Sequence, residues 1–151
     1  MATTMNLYDN FRKKQASGSG AVDLTTLTLK MMLTTSAYTP NQNTDDFRND
    51  LGATEVSGTG YTAGGNALST VLVTMDGSGN IKIDANDPAT WASNAAGFSN
   101  ARRAVVYIAR GGAASADELV AYSADFGADS GNVAGDFTIT LSANGLITSA
   151  R

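Results

Sequence analysis

The sequence predicts an all-β protein: an antiparallel β-sandwich or jelly roll of about eight short strands, preceded by a short N-terminal helix. Short runs of alternating apolar and polar residues recur along the chain, and turn-forming Gly, Asn and Asp separate most of them. No helical run between them is long enough to connect parallel strands. We divide the 151 residues into an N-terminal helix with a flexible joint (residues 1–20) and a single sandwich domain (residues 21–151).

Residues 4–15 have the pattern of a short amphipathic helix. Thr4 is the expected N-cap, an apolar stripe runs along one face, and basic residues fill the last turn, where they favour the helix dipole. A Gly/Ser-rich joint at residues 16–20 then ends the helix. Because so short a helix is marginal alone, its stripe must dock, either on the protein's own sheet or, as an arm, on a neighbouring subunit. The stripe and the basic residues form a candidate partner interface: Leu7, Tyr8, Phe11, Arg12, Lys13 and Lys14.

The strands begin with residues 27–34, where Leu or Met occupies every odd position, so we expect one apolar and one polar face. A long irregular region, residues 35–66, follows and contains a helical turn over residues 44–51 that Thr44 would cap. Beyond it, the turn sequence DGSGN at residues 76–80 predicts a hairpin. The later strands are expected at residues 67–75, 81–83, 103–109, 119–126, 137–141 and 146–147, with a candidate short strand at Trp91.

The composition excludes several classes of function. The chain has no cysteine and no histidine, which removes disulfides, thiolate metal sites and any Ser-His-Asp or Cys-His mechanism. A net charge of -4 argues against nucleic acid as the main partner. No apolar run reaches the length of a membrane span, and the N-terminus lacks the apolar core of a secretory signal. We therefore expect no catalytic residue, metal, cofactor, small-molecule substrate, nucleic acid or membrane partner.

One glycine-rich phrase, EVSGTGYTAGG at residues 55–65, contains the dinucleotide-binding spelling G-x-G-x-x-A. Such a site needs a strand leading into its first glycine and a helix opening from its last, and neither is predicted here. We expect the glycines to shape the backbone instead. Gly58 and Gly60 would adopt positive φ or let another segment pass closely, and residues 64–65 would turn the chain into the next strand. Val56 and Tyr61 would pin the phrase to the sheet.

Other polar patterns also have ordinary structural explanations. Asp84 and Asp87 are the carboxylate pair considered for glycoside hydrolysis, but they lie in a Pro-containing turn, where aspartate usually accepts turn hydrogen bonds. The oxygen-bearing alternation over residues 76–84 lacks the glycine and the closing glutamate of a calcium loop. Arg102 and Arg103 would guard a strand edge or pair with acidic residues.

Several phrases, taken together and in order, resemble a family of small virion structural proteins of tailed bacteriophages. The resemblance covers nearly the whole chain, starting with the N-terminal Tyr8-x-x-Phe11. Two Ala/Gly/Ser-rich insertions, residues 92–100 and 111–117, depart from the family pattern. The phrases are LTTSAYTP (33–40), DF (46–47), EVSGTGYTAGG (55–65), AVVY (104–107), LVAY (119–122), DFG (125–127) and GDFTI (135–139).

This resemblance implies a non-enzymatic component of the virion that needs no cofactor. The leading hypothesis is a capsid decoration, or cement, protein on the capsid surface, made in the host bacterial cytoplasm. Its expected partners are the major capsid protein and copies of itself, as a dimer or trimer. Tyr38 and Tyr61, which lie in the family phrases, complete the candidate partner interface. A tail or fibre component is the nearest alternative, and a carbohydrate-binding module using Tyr38, Tyr61 or Trp91 is the alternative from another class.

Overall fold

A five-stranded antiparallel sheet is the largest sheet of the protein, seen in a computed structural model that describes residues 2–3, 5–18, 22–75, 77–143 and 145–149. The order of its strands is β2-β8-β7-β3-β4. A second antiparallel sheet has the order β10-β6-β5, and β1 pairs in parallel with β9. The predicted all-β class with one short helix is confirmed. The elements are β1 (Ala2–Thr3), β2 (Met5–Leu7), α1 (Asp9–Ser17), β3 (Leu29–Thr34), β4 (Asn66–Ala67), β5 (Leu72–Met75), β6 (Ile81–Asp84), β7 (Arg103–Ile108), β8 (Leu119–Ser123), β9 (Thr140–Leu141) and β10 (Ile147–Ser149).

The middle strands of the large sheet are buried on both faces. In β3, Met31, Met32, Leu33 and Thr34 are all buried. Since successive side chains of a strand point to opposite faces, this run shows that both faces of β3 are covered. The predicted polar face of residues 27–34 is therefore wrong in its second half. The neighbouring strands β7 and β4 cover only the edges of β3, so other segments of the chain must lie over both of its faces.

The N-terminal segment belongs to the large sheet. Residues Met5–Leu7 form β2, which pairs antiparallel with β8, and α1 begins only at Asp9, after Tyr8 as N-cap. The helix thus starts five residues later than the predicted 4–15 and ends at Ser17, before Gly18 in the left-handed region at φ 68°. Thr4 lies outside the described residues. Helical periodicity predicted a longer helix because it carries no information about the available edge of β8.

The predicted strand at residues 67–75 is two strands in different sheets. Asn66–Ala67 (β4) pairs with β3 in the large sheet, whereas Leu72–Met75 (β5) pairs with β6. Between them Thr70 adopts a positive φ of 53°, a conformation uncommon for a residue other than glycine. The chain turns at this break and passes from one sheet to the other. The predicted hairpin formed by β5 and β6 is confirmed.

An irregular aromatic cluster replaces two of the predicted strands. Trp91 and Phe137 form an isolated bridge with reciprocal backbone hydrogen bonds of 3.0 and 2.9 Å. Their rings pack at 5.7 Å between centroids, and Phe98 and Tyr61 complete the cluster. Of the predicted strand 137–141, only Thr140–Leu141 (β9) has regular pairing. Side-chain packing rather than a backbone ladder holds this part of the chain.

Hydrogen bonds from side chains organise the long region of residues 35–66. The predicted helical turn at 44–51 is a shorter 3₁₀ helix, Arg48–Leu51. Asp50 rather than Thr44 caps its start, because Asp50 Oδ2 accepts the N–H groups of Asp46 (2.8 Å) and Phe47 (2.9 Å). Backbone groups that would otherwise begin a helix are thereby satisfied.

Candidate interaction surface

Two of the candidate interface residues, Tyr8 and Tyr38, lie in the interior. Tyr8 is 0% exposed and Tyr38 4% exposed, and their hydroxyl oxygens are 2.5 Å apart. Tyr38 donates its proton to Asp45 Oδ2 at 2.8 Å, so Tyr8 is the donor to Tyr38. Burial raises the pKa of both phenols above that of a free tyrosine. Both side chains are neutral parts of a buried network and offer no contact surface to a partner.

Because Tyr8 donates to Tyr38 and Tyr38 donates to Asp45, removing the two hydroxyl groups one at a time should reduce stability by unequal amounts. Tyr38→Phe removes the acceptor of the Tyr8 hydroxyl, for which the described residues offer no replacement, and leaves a fully buried hydroxyl unsatisfied. We therefore expect a loss of about 2 kcal/mol in unfolding free energy. Tyr8→Phe leaves Tyr38 still bonded to Asp45, so we expect about 1 kcal/mol. Urea denaturation of both variants measures the difference, and equal losses would contradict the assigned donor order.

The other candidate interface residues of the N-terminal segment lie in the core, in the wall of a groove or in ion pairs. Phe11 is buried, and Leu7 is half-buried beside it. Lys14 Nζ contacts Asp46 Oδ1 at 2.6 Å and lies 4.3 Å from the centre of the Phe47 ring. The exposed basic residues on α1 are Arg12, which lies 3.7 Å from Asp9, and Lys13. Of the helix residues predicted to face a partner, only these two present a charge mainly to solvent.

Tyr61 pins the glycine phrase to the large sheet, as expected. Its hydroxyl donates to Glu55 Oε1 at 2.8 Å and accepts the N–H of Leu33 at 3.0 Å. Val56, which is buried, donates its N–H to Leu33 O at 3.0 Å. The phrase is therefore fixed to the end of β3 by two adjacent contacts.

The glycines of the phrase have the predicted backbone roles. Gly60, Gly64 and Gly65 have φ values of 82°, 84° and 72°. A Cβ on Gly65 would lie 1.9 Å from Met31 O, and one on Gly58 would lie 2.5 Å from the backbone nitrogen of Phe98. The phrase requires glycine because other chain segments pass directly over it.

A small polar cavity of about 230 Å³ lies beside this phrase. Arg48 Nε is 2.7 Å from Asp117 Oδ2, and the Tyr107 hydroxyl donates to Gly64 O at 2.7 Å. Burial raises the pKa of Tyr107 to about 12, so its phenol stays protonated near neutral pH. Arg48 also lies 5.2 Å from the centre of the Tyr107 ring. The Tyr107 hydrogen bond to Gly64 holds the glycine phrase against β7.

The carboxylates considered for hydrolysis serve local structure. Asp84 Oδ2 lies 3.0 Å from Lys82 Nζ, and its Oδ1 accepts the next backbone N–H. Asp87 Oδ1 accepts the N–H of Leu141 at 2.7 Å. Asp87 thus ties its Pro-containing turn to β9 through a long-range hydrogen bond, rather than making the local turn hydrogen bond that was expected.

The two adjacent arginines pair with acidic residues, which was one of their two predicted roles. Arg102 lies 2.7 Å and Arg103 3.2 Å from the carboxylate of Asp125, and Arg102 also lies 3.4 Å from Asp129. The N–H of Gly127 and the Arg102 guanidinium hold the pKa of Asp125 below its usual value. This ion-pair group joins the start of β7 to the loop after β8.

An exposed apolar surface on the β5–β6 hairpin was not predicted from the sequence. Leu72 is 52% exposed, Val73 46%, Met75 72% and Ile81 49%. Met75 is paired with Ile81, and Val73 with Ile83, so Val73, Met75, Ile81 and Ile83 share one face of the small sheet, whereas Leu72 lies on the opposite face. The sequence signal was the uncharged run VLVTM at residues 71–75, but the run alone does not show that its partner is missing.

This face of the hairpin continues into a groove against the N-terminal segment. Leu7 and Phe11 form one wall, and Ile81 and Ile83 of β6 form the other, around about 380 Å³. The exposed face of β5–β6 together with this groove is named the hairpin surface below. Single exposed apolar residues are normal on proteins, whereas a contiguous apolar patch marks an interaction site.

The hairpin surface, rather than buried tyrosines, is therefore the candidate contact region. Of the three aromatic residues considered for carbohydrate binding, Tyr38 and Trp91 are only 4% and 1% exposed, so neither presents its ring to solvent, and Tyr61 is half-buried. Within the described ranges, no three acidic side chains converge as a metal site would require. No helix in those ranges is long and apolar enough to cross a membrane.

No family model, curated protein or solved structure significantly matches this chain.

Proposed function

We propose that this protein is a non-enzymatic structural component of a tailed-phage virion, a decoration protein that binds the major capsid protein and stabilises the shell. The observation that carries the proposal is the hairpin surface, on whose face Val73, Met75 and Ile81 are between 46% and 72% exposed. A contiguous exposed apolar patch marks an interaction site. The resemblance to phage virion proteins supplies the identity of the partner.

The packing of the family phrases supports this proposal. Tyr38, Tyr61 and the glycines beside Tyr61 are held by internal contacts, so these phrases maintain the fold. In this proposal the five-stranded and three-stranded sheets are the two layers of a sandwich, which contact each other at β2 and β10. Such a scaffold keeps the hairpin surface rigid, and weak contacts repeated over a symmetric shell then add through avidity.

The mode of contact with the shell is apolar, with a small basic rim. Met75 and Val73 would pack against the partner, while Arg12 borders the groove and adds a positive charge. Burying most of an exposed methionine stabilises a contact by roughly 1–2 kcal/mol, or about tenfold in affinity. After synthesis in the host cytoplasm, the protein would occupy the outer surface of the capsid.

We expect Met75→Lys to reduce binding to shells at least tenfold, because a charge would replace the most exposed apolar side chain of the hairpin surface. Val133→Lys is the matched control, since Val133 is also exposed, at 41%, but lies outside the hairpin. The measurement is co-sedimentation with shells assembled without the protein, followed by cryo-EM of the pelleted particles.

Equal binding of wild type and Met75→Lys would remove the hairpin surface from the contact. Density on the tail of complete virions, with none on the shell, would replace the decoration role with the tail or fibre role. No density on any part of the particle would overturn the proposal.

A further inference from the structure

We propose that β5 is a self-pairing edge, through which two copies of this chain join their Leu72–Met75 strands antiparallel about a twofold axis. The inference deepens the proposed function by naming a second copy as one partner of the hairpin surface, and its link to the shell depends on that function. The self-pairing of β5 does not depend on the proposed function, because it is a property of the isolated protein.

The outer edge of β5 has no strand beside it among the described residues. The order of the small sheet is β10-β6-β5, so β5 has β6 on one side only. In an antiparallel sheet, alternate residues of an outer strand direct their N–H and C=O groups away from the sheet. These groups form a ready template for another strand.

The edge lacks the features that usually protect such strands. Residues 71–75, VLVTM, include no charged residue, no proline and no glycine. Proteins commonly guard an open edge with lysine, proline or very short strands. β4, at the edge of the large sheet, is guarded by its length of two residues. β5 is longer, with four residues, and contains neither lysine nor proline.

Charge also favours a second copy of the same strand. The nearest charged side chains on the small sheet, Lys82 and Asp84, neutralise each other at 3.0 Å. They are paired with Thr74 and Leu72, so they lie on the face opposite Val73 and Met75. Two copies of β5 therefore meet without bringing like charges together.

Symmetry determines what the pairing does to the hairpin surface. A twofold axis that makes two outer strands antiparallel neighbours is perpendicular to the sheet, so it keeps each face on its own side. Val73 and Met75 of both copies then lie on one side of a continuous six-strand sheet. The two grooves open on that same side, which allows both copies to contact one shell.

The size of the contact predicts a weak dimer. Two four-residue strands and their side chains bury less than the roughly 1,000 Å² that a stable interface needs. We therefore expect a concentration-dependent equilibrium between monomer and dimer in solution. On a shell, attachment of both copies to the same surface would raise their effective concentration and complete the pairing.

Single-cysteine scanning tests the pairing directly, since the chain has no cysteine of its own. Leu72→Cys, Val73→Cys, Thr74→Cys and Met75→Cys are each oxidised in the full chain, with Val133→Cys as an exposed control outside the hairpin. A twofold antiparallel pair places one central residue opposite its own copy. We expect that position to cross-link into dimers at least tenfold faster than the control.

Sedimentation velocity supplies the second readout. The weight-average mass of wild type should rise from 15.5 kDa toward twice that value as concentration increases, while Val73→Lys should remain at 15.5 kDa because two lysines would meet near the axis. Val133→Lys should behave as wild type. Cross-linking no faster than the control at all four positions, or a wild-type mass that never rises, overturns self-pairing. A dimer that forms normally but never binds shells would overturn only the decoration role.

Discussion

Gly65→Ala is expected to destabilise the protein by about 3–5 kcal/mol and to prevent accumulation of folded protein at 37 °C. Two effects combine at this position. A Cβ would lie 1.9 Å from the carbonyl oxygen of Met31, which is backbone of the buried strand β3 and cannot rotate away. Gly65 also has a φ of 72°, which costs an L-residue roughly 1–2 kcal/mol.

Gly111→Ala separates these two effects. Gly111 has nearly the same φ, 75°, but a Cβ there would have nothing within 4 Å. We expect this control to lose only the conformational cost of about 1–2 kcal/mol. Chemical denaturation of the two variants measures the difference, with the fraction of soluble protein as a second readout. Equal losses for both variants would show that Met31 does not pass over Gly65 as closely as described.

Asn132→Asp is expected to cost about 3 kcal/mol at neutral pH, although the two side chains have the same shape. Asn132 is 0% exposed. Its Oδ1 accepts the N–H of Phe98 at 2.9 Å, and its Nδ2 donates to Ala92 O at 2.8 Å and to Thr59 O at 3.3 Å. The substitution would place a carboxylate oxygen against two carbonyl oxygens and bury a charge without a partner.

The loss of unfolding free energy in Asn132→Asp should increase as the pH rises. Burial and the two carbonyl groups raise the folded-state pKa of the introduced carboxyl above its unfolded value of about 3.9. The folded state therefore binds the proton more tightly, so the deficit is smallest below about pH 4 and grows as pH rises through the folded-state pKa. Urea denaturation at pH 4 and at pH 7.5 checks this sign.

Asn94→Asp is the isosteric control for the same charge change. Asn94 is only half-buried, and its Oδ1 accepts the N–H of Ala96 at 2.9 Å. A carboxylate oxygen can accept that hydrogen bond equally well, so we expect a change within about 0.5 kcal/mol. A deficit in Asn132→Asp that is no larger than in this control, or that shrinks as pH rises, would contradict the described hydrogen bonds.

The local sequence pattern was sufficient to predict the strand at residues 103–109 and the β5–β6 hairpin. The alternating run at residues 103–109 gives β7, and the turn sequence between residues 75 and 81 joins two strands that pair in register. The N-terminal residues show the opposite case. Leu7, Tyr8 and Phe11 fit a helical stripe, yet Leu7 belongs to strand β2. The edge of β8 offers backbone hydrogen bonds to this segment, and an extra turn on a short helix is less stable than that pairing.

The candidate contact surface was harder to predict from the sequence than the fold was. Tyr8 was predicted to face a partner because it lies on the apolar stripe of the helix, and Tyr38 because it lies in a phrase of the family resemblance. A tyrosine side chain, which is apolar with a polar tip, is common at interfaces. The same chemistry suits a buried hydroxyl chain that ends on Asp45, and only the packed structure distinguishes the two uses. The residues of the hairpin surface were predicted as strand, but their exposure depends on which neighbouring strands are present.

The sequence by itself determined the all-β class, the absence of cysteine and histidine chemistry, and the structural role of the glycine phrase. These conclusions rest on residue type and local periodicity, which require no knowledge of distant contacts. Only the tertiary structure decided that β3 is covered on both faces, that residues 67–75 divide between two sheets, and that none of the described strands pairs with the outer edge of β5. The physical reason is that burial and strand pairing are properties of what a segment lies against, and residues far apart in the chain supply those neighbours.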